Sequence, residues 1–184
     1  MSTWTQKRSV KRRYDLTAGM YNRRYAEEQE AKYKLTLAKL KPTGLVLDIG
    51  CGTGLLFNHI FSENASMVGV DVSKKLLLQA REKARKQQNV HVVQSDADYL
   101  PFRDSVFNTL FAFTVLQNMP KQSETLKEIY RVMRREAFVV VTGLKKVFST
   151  ERLRMLLGEA GFFVVSVEDD EKVKCYVAVG QKIL

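Results

Sequence analysis

Leu45-Val46-Leu47-Asp48-Ile49-Gly50-Cys51-Gly52-Thr53-Gly54 is an apolar run that ends in an acid and breaks into glycines. Leu55, Leu56, Phe57, Ile60 and Phe61 follow at helical spacing, so the stretch predicts a buried strand, a tight turn and the start of a helix. Glycines leave no Cβ between the main chain and a ligand, and they take positive φ at no steric cost. A cofactor can therefore lie against this backbone, beside helix-terminal N–H groups that favour anionic groups. The dinucleotide fingerprint G-x-G-x-x-G/A would put its third small residue at position 55, where this chain has Leu55. A turn that merely packs a helix on a strand also wants glycine, but the acid at Asp48 behind an apolar strand favours the cofactor reading.

Strand and helix signals alternate from there to the C-terminus. Residues 67–71, 90–94, 107–113 and 138–142 read as the second to fifth strands. Between them, Leu76, Leu77 and Ala80 mark the apolar side of one helix, with Lys74, Arg81, Lys83 and Arg85 opposite. Leu126, Ile129, Tyr130 and Met133 line the next helix, and Leu153, Leu156, Leu157 and Ala160 the last. Units of this length predict a parallel sheet with helices on both faces. The final runs, 162–167 and 175–179, are separated by Glu168-Asp169-Asp170-Glu171-Lys172, too short for a crossover helix, so that pair must be antiparallel.

Residues 1–41 read as helical and outside the sheet. Tyr14, Tyr21 and Tyr25 share one face if the helix is continuous, and Gly19 predicts a break. A helix over residues 26–39 would turn Tyr33, Leu37 and Leu40 inward, and Pro42-Thr43-Gly44 would end it. Of the net charge of +10, +7 lies in these residues, densest in Lys7-Arg8-Ser9-Val10-Lys11-Arg12-Arg13. Such a run is either a solvated tail or an arm that contacts phosphates. The 184 residues suit one domain, 45% hydrophobic and 27% charged as in soluble globular proteins. No apolar run approaches the ~20 residues that span a bilayer, and the first residues lack a signal-peptide core. Two cysteines suggest neither a disulfide framework nor a metal site. The chain reads as cytoplasmic.

The octet Leu47-Asp48-Ile49-Gly50-Cys51-Gly52-Thr53-Gly54 resembles the first motif of the class I S-adenosylmethionine-dependent methyltransferases, and the closing hairpin resembles the reversed last strand of their sheet. The resemblance, which runs over residues 44–184, implies an α/β doubly wound, seven-stranded, mostly parallel sheet of order 3-2-1-4-5-7-6, with an antiparallel last strand and helices on both faces. It implies a helical lid over residues 1–41 and a cofactor-binding domain over 42–184. S-adenosylmethionine is the cofactor it implies. Asp48, with the loop residues Gly50, Cys51, Gly52 and Gly54, would hold the methionine end. Asp71, 23 residues after Asp48, would accept both ribose hydroxyls, with Val72 beside it. An acid there is also a helix cap, for which Ser73 is an equal candidate. Asp96 would take the adenine amino group and the Ala97 N–H a ring nitrogen, with Asp98 as a substitute if the loop is shifted. Leu100-Pro101-Phe102 resembles the family's elbow. Phe113 and Thr114 would lie beside the methyl and Gln117 would face the acceptor. Tyr14-Asp15 and Tyr21-Asn22 resemble the paired lid elements, Tyr14 on the cofactor and Tyr21 near the reacting groups; the tyrosines would equally serve to cap the core edge.

Departures from the family's subgroups narrow the acceptor. Residues 113–116 lack the Pro-Pro turn of base-amine enzymes, no cysteine is near that turn, and no ribose-methylation Lys-Asp-Lys-Glu pattern is evident. Gln117-Asn118 stand where small-molecule members often carry a His pair, and Met133-Arg134-Arg135-Glu136-Ala137 forms a basic turn before the fifth strand. His59 and His91 read as structural, and no general base can be named; in-line methyl transfer relies heavily on positioning. The expectation is an S-adenosylmethionine-dependent methyltransferase whose basic first segment points to an RNA acceptor, such as an exocyclic base amine of rRNA or tRNA. The alternatives are a small-metabolite or protein side-chain methyltransferase, and a non-enzymatic scaffold of the same fold. No membrane and no metal are expected; an activating partner subunit and the choice of monomer or homodimer stay open.

Overall fold

The computed structural model describes residues 3–60 and 65–183, so Phe61 lies outside the described residues. Helix α1 (Thr3–Thr17) and helix α2 (Tyr21–Leu37) are separated by a 3-10 turn at Ala18–Met20, around Gly19. α2 begins at Tyr21, earlier than expected, because residues 21–26 contain neither glycine nor proline to stop it.

The sheet comprises β1 (Gly44–Ile49), β2 (Ala65–Asp71), β3 (Val90–Gln94), β4 (Phe107–Ala112), β5 (Met133–Leu144), β6 (Phe163–Asp169) and β7 (Cys175–Gln181). Their order is β3-β2-β1-β4-β5-β7-β6, as the family resemblance implies. β7 runs antiparallel to both neighbours, and every other pairing is parallel. Helices α3 (Lys74–Ala84), α4 (Gln122–Val132) and α5 (Thr150–Glu159) complete the layers. Alternate residues of one strand point to opposite faces, and the central strands feed two cores in that way. Leu47, Ile49, Leu110, Ala112, Val139 and Val141 pack with α4 and α5. Val46, Phe111, Phe113 and Val140 pack with α3, Tyr33 of α2 and Phe57. Burial on both faces explains why these strands read as continuous apolar runs.

Two local expectations are corrected. The apolar residues after the glycine loop form a 3-10 turn, Leu56–His59, rather than an α-helix. Residues 50–64 must return from the end of β1 to the start of β2. A 3-10 turn rises ~2.0 Å per residue against 1.5 Å for an α-helix, so it covers that ground with fewer residues. Phe57 fits beneath this connection because its ring lies where Gly54 and Gly69 have no Cβ. The basic turn at Met133–Ala137 is instead part of β5. Phe107 pairs Met133 and Thr109 pairs Phe138, so the intervening residues bulge out of the ladder, with Glu136 at φ 62°.

Phe57 is fully buried under the glycine loop. Phe57→Ala should cost about 3–5 kcal/mol of unfolding free energy, read as a lowered urea midpoint at unchanged m-value. A cost below about 1 kcal/mol would contradict this packing.

Candidate active site

In an open α/β sheet, ligands bind beyond the carboxyl ends of the strands where the strand order reverses. Here that point lies between β1 and β4, and a cleft of about 910 Å³ opens there under α1 and α2. Of the glycine loop, Gly50 lines it, beside Ile49 at the end of β1. Gly50 and Cys51 donate their N–H groups to Val70 O at 2.8 and 2.9 Å, which ties the loop to the end of β2. Gly52, at φ 57°, donates its N–H to Asp71 Oδ2 at 2.9 Å. A side chain in that left-handed conformation would be strained, and a Cβ there would come into van der Waals contact with the Tyr21 ring at 3.4 Å.

Asp71 lines the cleft together with Val72, Asp96 and Ala97. Its Oδ1 accepts the Ser73 N–H at 2.8 Å. Ser73, not Asp71, caps α3 by accepting the Leu76 N–H at 3.2 Å, so each Asp71 oxygen keeps acceptor capacity on a residue that lines the cleft. Asp48 lies behind the loop, 3% exposed and not on the cleft wall, and its Oδ2 has no hydrogen-bond partner. Cys51 is buried under the loop, its thiol pushed up by burial and by Asp48 and Asp71. Gly54 approaches Phe57 rather than the cleft.

The N-terminal helices reach nearly every loop at this edge. Lys7 Nζ sits 2.7 Å from Asp96 Oδ2 and 2.5 Å from Asp98 Oδ2. Burial works against the Lys7 ammonium, but its hydrogen bonds to Asp96 and Asp98 outweigh it and hold its pKa above the ordinary value. Asp98 also accepts the Thr125 hydroxyl, so it faces α4 as much as the cleft. Asp15 accepts the Ser73 hydroxyl at 2.6 Å, and Asn22 accepts the Thr53 hydroxyl at 2.5 Å. Tyr14 accepts Asn118 Nδ2–H at 3.1 Å, and Asn118 Oδ1 accepts from Arg13 at 2.8 Å. The rings of Tyr14 and Tyr21 lie 6.2 Å apart and those of Tyr21 and Tyr25 5.1 Å, forming an aromatic wall on the cleft. The Tyr21 hydroxyl is held well above its usual pKa by burial, with Tyr14 and Asp71 adding to it.

At the β4 end, Thr114 takes φ 61° and donates its N–H to Thr142 Oγ1 at 2.8 Å. Gln117 donates Nε2–H to Thr114 O, while its buried Oε1 has no partner. Phe113 lines the cleft but is 6% exposed, stacked on Phe111 at 5.4 Å and edge-on to Tyr33 at 5.0 Å, so it shapes the wall without offering a free face. Sequence reasoning missed Lys32 and Gln29, which converge on Thr114 Oγ1 at 3.2 and 3.4 Å. Their signal was position: Gln29, Lys32, Tyr33 and Thr36 share the buried face of α2. His59 packs on Tyr33 and His91 is exposed on β3, neither on the cleft. Among the described residues, no group of three His, Cys, Asp or Glu could hold a metal, and no helix is long and apolar enough to cross a membrane.

Burial, then the nearby Asp71 charge, raises the Asp48 pKa to about 8. Burial also raises Asp71, to about 6, against the N–H bonds from Ser73 and Gly52 that favour its charge. Unfolded Asp48 ionises near 3.8, while the folded chain keeps it protonated up to about 8. The unfolded state therefore binds fewer protons across that window, and stability falls as pH rises through it, then levels off. Thermal melts of the unliganded protein should decline from pH 4 to pH 8, and Asp48→Asn should flatten most of that decline. An equal slope in the variant would contradict the assignment.

Residues 47–141 match the family model of the methyltransferase domain. The chain is 30% identical over 151 residues to a malonyl-[acyl-carrier protein] O-methyltransferase of Marinomonas sp. (strain MWYL1), covering 79% of this chain and 55% of that protein. It is 29% identical over 109 residues to a ubiquinone/menaquinone biosynthesis C-methyltransferase of Vibrio cholerae, covering 56% of this chain and 42% of that one. The chain thus spans about half the length of the curated relatives it matches. Its fold is similar to that of the magnesium protoporphyrin IX methyltransferase of Synechocystis PCC 6803, solved with bound S-adenosylmethionine, with a TM-score of 0.81 at 18% identity over 96% of this chain and 97% of that one. With the second half of β1, the glycine loop, β4 and most of β5 inside the matched region, the chain belongs to the methyltransferase domain family, of class I S-adenosylmethionine-dependent fold.

Proposed function

We propose that this chain transfers the methyl group of S-adenosylmethionine to a small acceptor, free or attached to a carrier, rather than to RNA. The observation that carries this reading is that three of the five bases in residues 7–13 are already engaged by partners within the fold. Lys7 pairs with Asp96 and Asp98, Lys11 with Asp15, and Arg13 bonds Asn118. Of the five bases in residues 7–13, that leaves Arg8 and Arg12 as exposed side chains outside these contacts. Tight binding through a phosphate backbone needs several outward cations. These bases instead fasten helices that act as a lid on the cleft. The names of the two curated relatives, which specify an acyl-carrier substrate and quinone biosynthesis, agree with a small acceptor.

The residues fit the cofactor. Asp71 has lone pairs left for the ribose hydroxyls, and Asp48, whose pKa of about 8 keeps it largely protonated at pH 7, would ionise behind the loop as the methionine ammonium binds. Ala97 and Asp96 are placed for the adenine edge, which requires Lys7 to give up or share its contact with Asp96. When bound, S-adenosylmethionine supplies an electrophilic methyl on a positively charged sulfur. Tyr14 and Tyr21 cover the loop and exclude water, and Thr114 and Gln117 form the wall on the acceptor side.

Asp71→Ala should weaken S-adenosylhomocysteine binding on the order of 100-fold by calorimetry, the loss of two charge-assisted hydrogen bonds, with the fold retained. Undiminished affinity would contradict the cofactor site. Affinity for total tRNA should be weak at 50 mM salt; tight binding that falls steeply by 200 mM, the signature of several phosphate contacts, would return the acceptor to RNA.

A further inference from the structure

The cleft is electrically divided. Its β2 and β3 side carries Asp71 and Asp96, the latter paired with Lys7. The opposite side, where the end of β5 and the body of α2 meet the start of β7, is lined by Arg24, Lys32, Lys145, Lys146 and Lys174, with Glu28 the one acid among its described lining residues; Lys145 is already paired with Asp169. Glu28 is already engaged: its Oε1 accepts the Lys174 main-chain N–H at 2.9 Å and lies 3.6 Å from Lys32 Nζ.

Lys32 is 1% exposed, yet it reaches the cleft wall beside Thr114. A buried ammonium is costly unless its charge is met, and a single carboxylate at 3.6 Å meets it loosely. The adjacent Cys175 thiol is raised by burial, stays protonated and does not neutralise it. Gln29 adds a second N–H donor at the same spot. Nearer the mouth, Met119, Leu144, Val147 and Tyr25 provide apolar surface.

We propose, resting on the cofactor reading above, that the acceptor is an amphipathic carboxylic acid seated with its carboxylate on Lys32, and that this carboxylate is the group methylated. Of the cations on this side only Lys32 is buried, and its charge is partly offset by Glu28, so the group in direct contact with it suits a monoanion rather than a dianion. No described side chain on this half of the cleft is placed as a free base, so a nucleophile that had to lose a proton would find no acceptor for it. An ionised carboxylate needs none. One of its oxygens rests on the Lys32 ammonium; the other forms a bond to the methyl carbon as the carbon–sulfur bond breaks and its electron pair returns to sulfur. The products are a methyl ester and a neutral thioether, and no proton moves.

The test begins with S-adenosylhomocysteine binding, whose absence would remove the methyltransferase reading itself. On protein loaded with that product, octanoate, octyl phosphate, octanol and octylamine are titrated by calorimetry. Octanoate should bind about tenfold or more tightly than octanol and octylamine, as expected for a carboxylate on a sequestered ammonium. Lys32→Met should weaken octanoate by about tenfold and leave S-adenosylhomocysteine affinity unchanged, and Lys32→Arg should restore part of it. Should Lys32→Met fail to fold, Lys146→Gln at the rim should still weaken octanoate by about threefold. With labelled S-adenosylmethionine and a small-molecule extract, the transferred label should be released as volatile methanol by mild alkali. The proposal is overturned if octanoate does not bind, if octanol, octylamine or octyl phosphate binds as well or better, if folded Lys32→Met binds octanoate normally, or if the label is stable to alkali.

Discussion

A half-buried carboxylate held by two main-chain N–H groups from different loops is the constraint on which the site depends. Asp71 joins Gly52 of the first loop to Ser73 at the head of α3. It therefore fixes where the first two strands end relative to each other. Gly52 can point its N–H at that carboxylate only in a left-handed conformation, which explains a glycine there on geometric grounds. The arrangement withdraws two acids from water, so both are reluctant to ionise. Such a site stores unfavourable electrostatics that a cationic or hydroxyl-rich ligand relieves.

The helices above extend the same logic. Lys7, Asp15, Asn22 and Lys32 each contact a different loop at the strand ends, so the N-terminal segment is fastened at several points rather than draped over the sheet. Most of those contacts involve a charged group; the cleft carries Asp71 and Asp96 on one half, Asp96 paired with Lys7, and a cluster of lysines on the other. A ligand carrying a sulfonium nucleoside toward β2 and β3, and an acceptor with negative charge toward β5 and β7, would complement both halves at once.

Much of the fold was legible because it is written in local pattern: apolar strands, a glycine loop, and a hairpin too short to cross over. The cleft residues near the strand ends were legible for the same reason, since strand ends are where such a sheet binds. What resisted reading depended on distance in sequence. The inward turn of Lys7 is set by Asp96, 89 residues on, and no linear pattern distinguishes it from a phosphate-binding arm. Lys32 stands four residues after Glu28, which reads as a solvated helical pair; only the face shared with Tyr33 turns it inward. Asp71 and Ser73 were equal candidates for a helix cap until the Leu76 N–H was seen to choose Ser73. The run after the glycine loop fits an α-helix and a 3-10 turn alike, and the length of the return to β2 decided between them.

The central claim is that Asp48 and Asp71 form the polar grip of the cofactor site. Proton linkage reads it directly, because a ligand ammonium and hydroxyls would favour their charged forms. Calorimetry of S-adenosylhomocysteine binding at pH 7, repeated in buffers of different ionisation enthalpy, should reveal net release of about one proton, chiefly from Asp48, whose pKa of about 8 would fall on binding. A binding enthalpy that is the same in every buffer, with binding itself intact, would contradict the account.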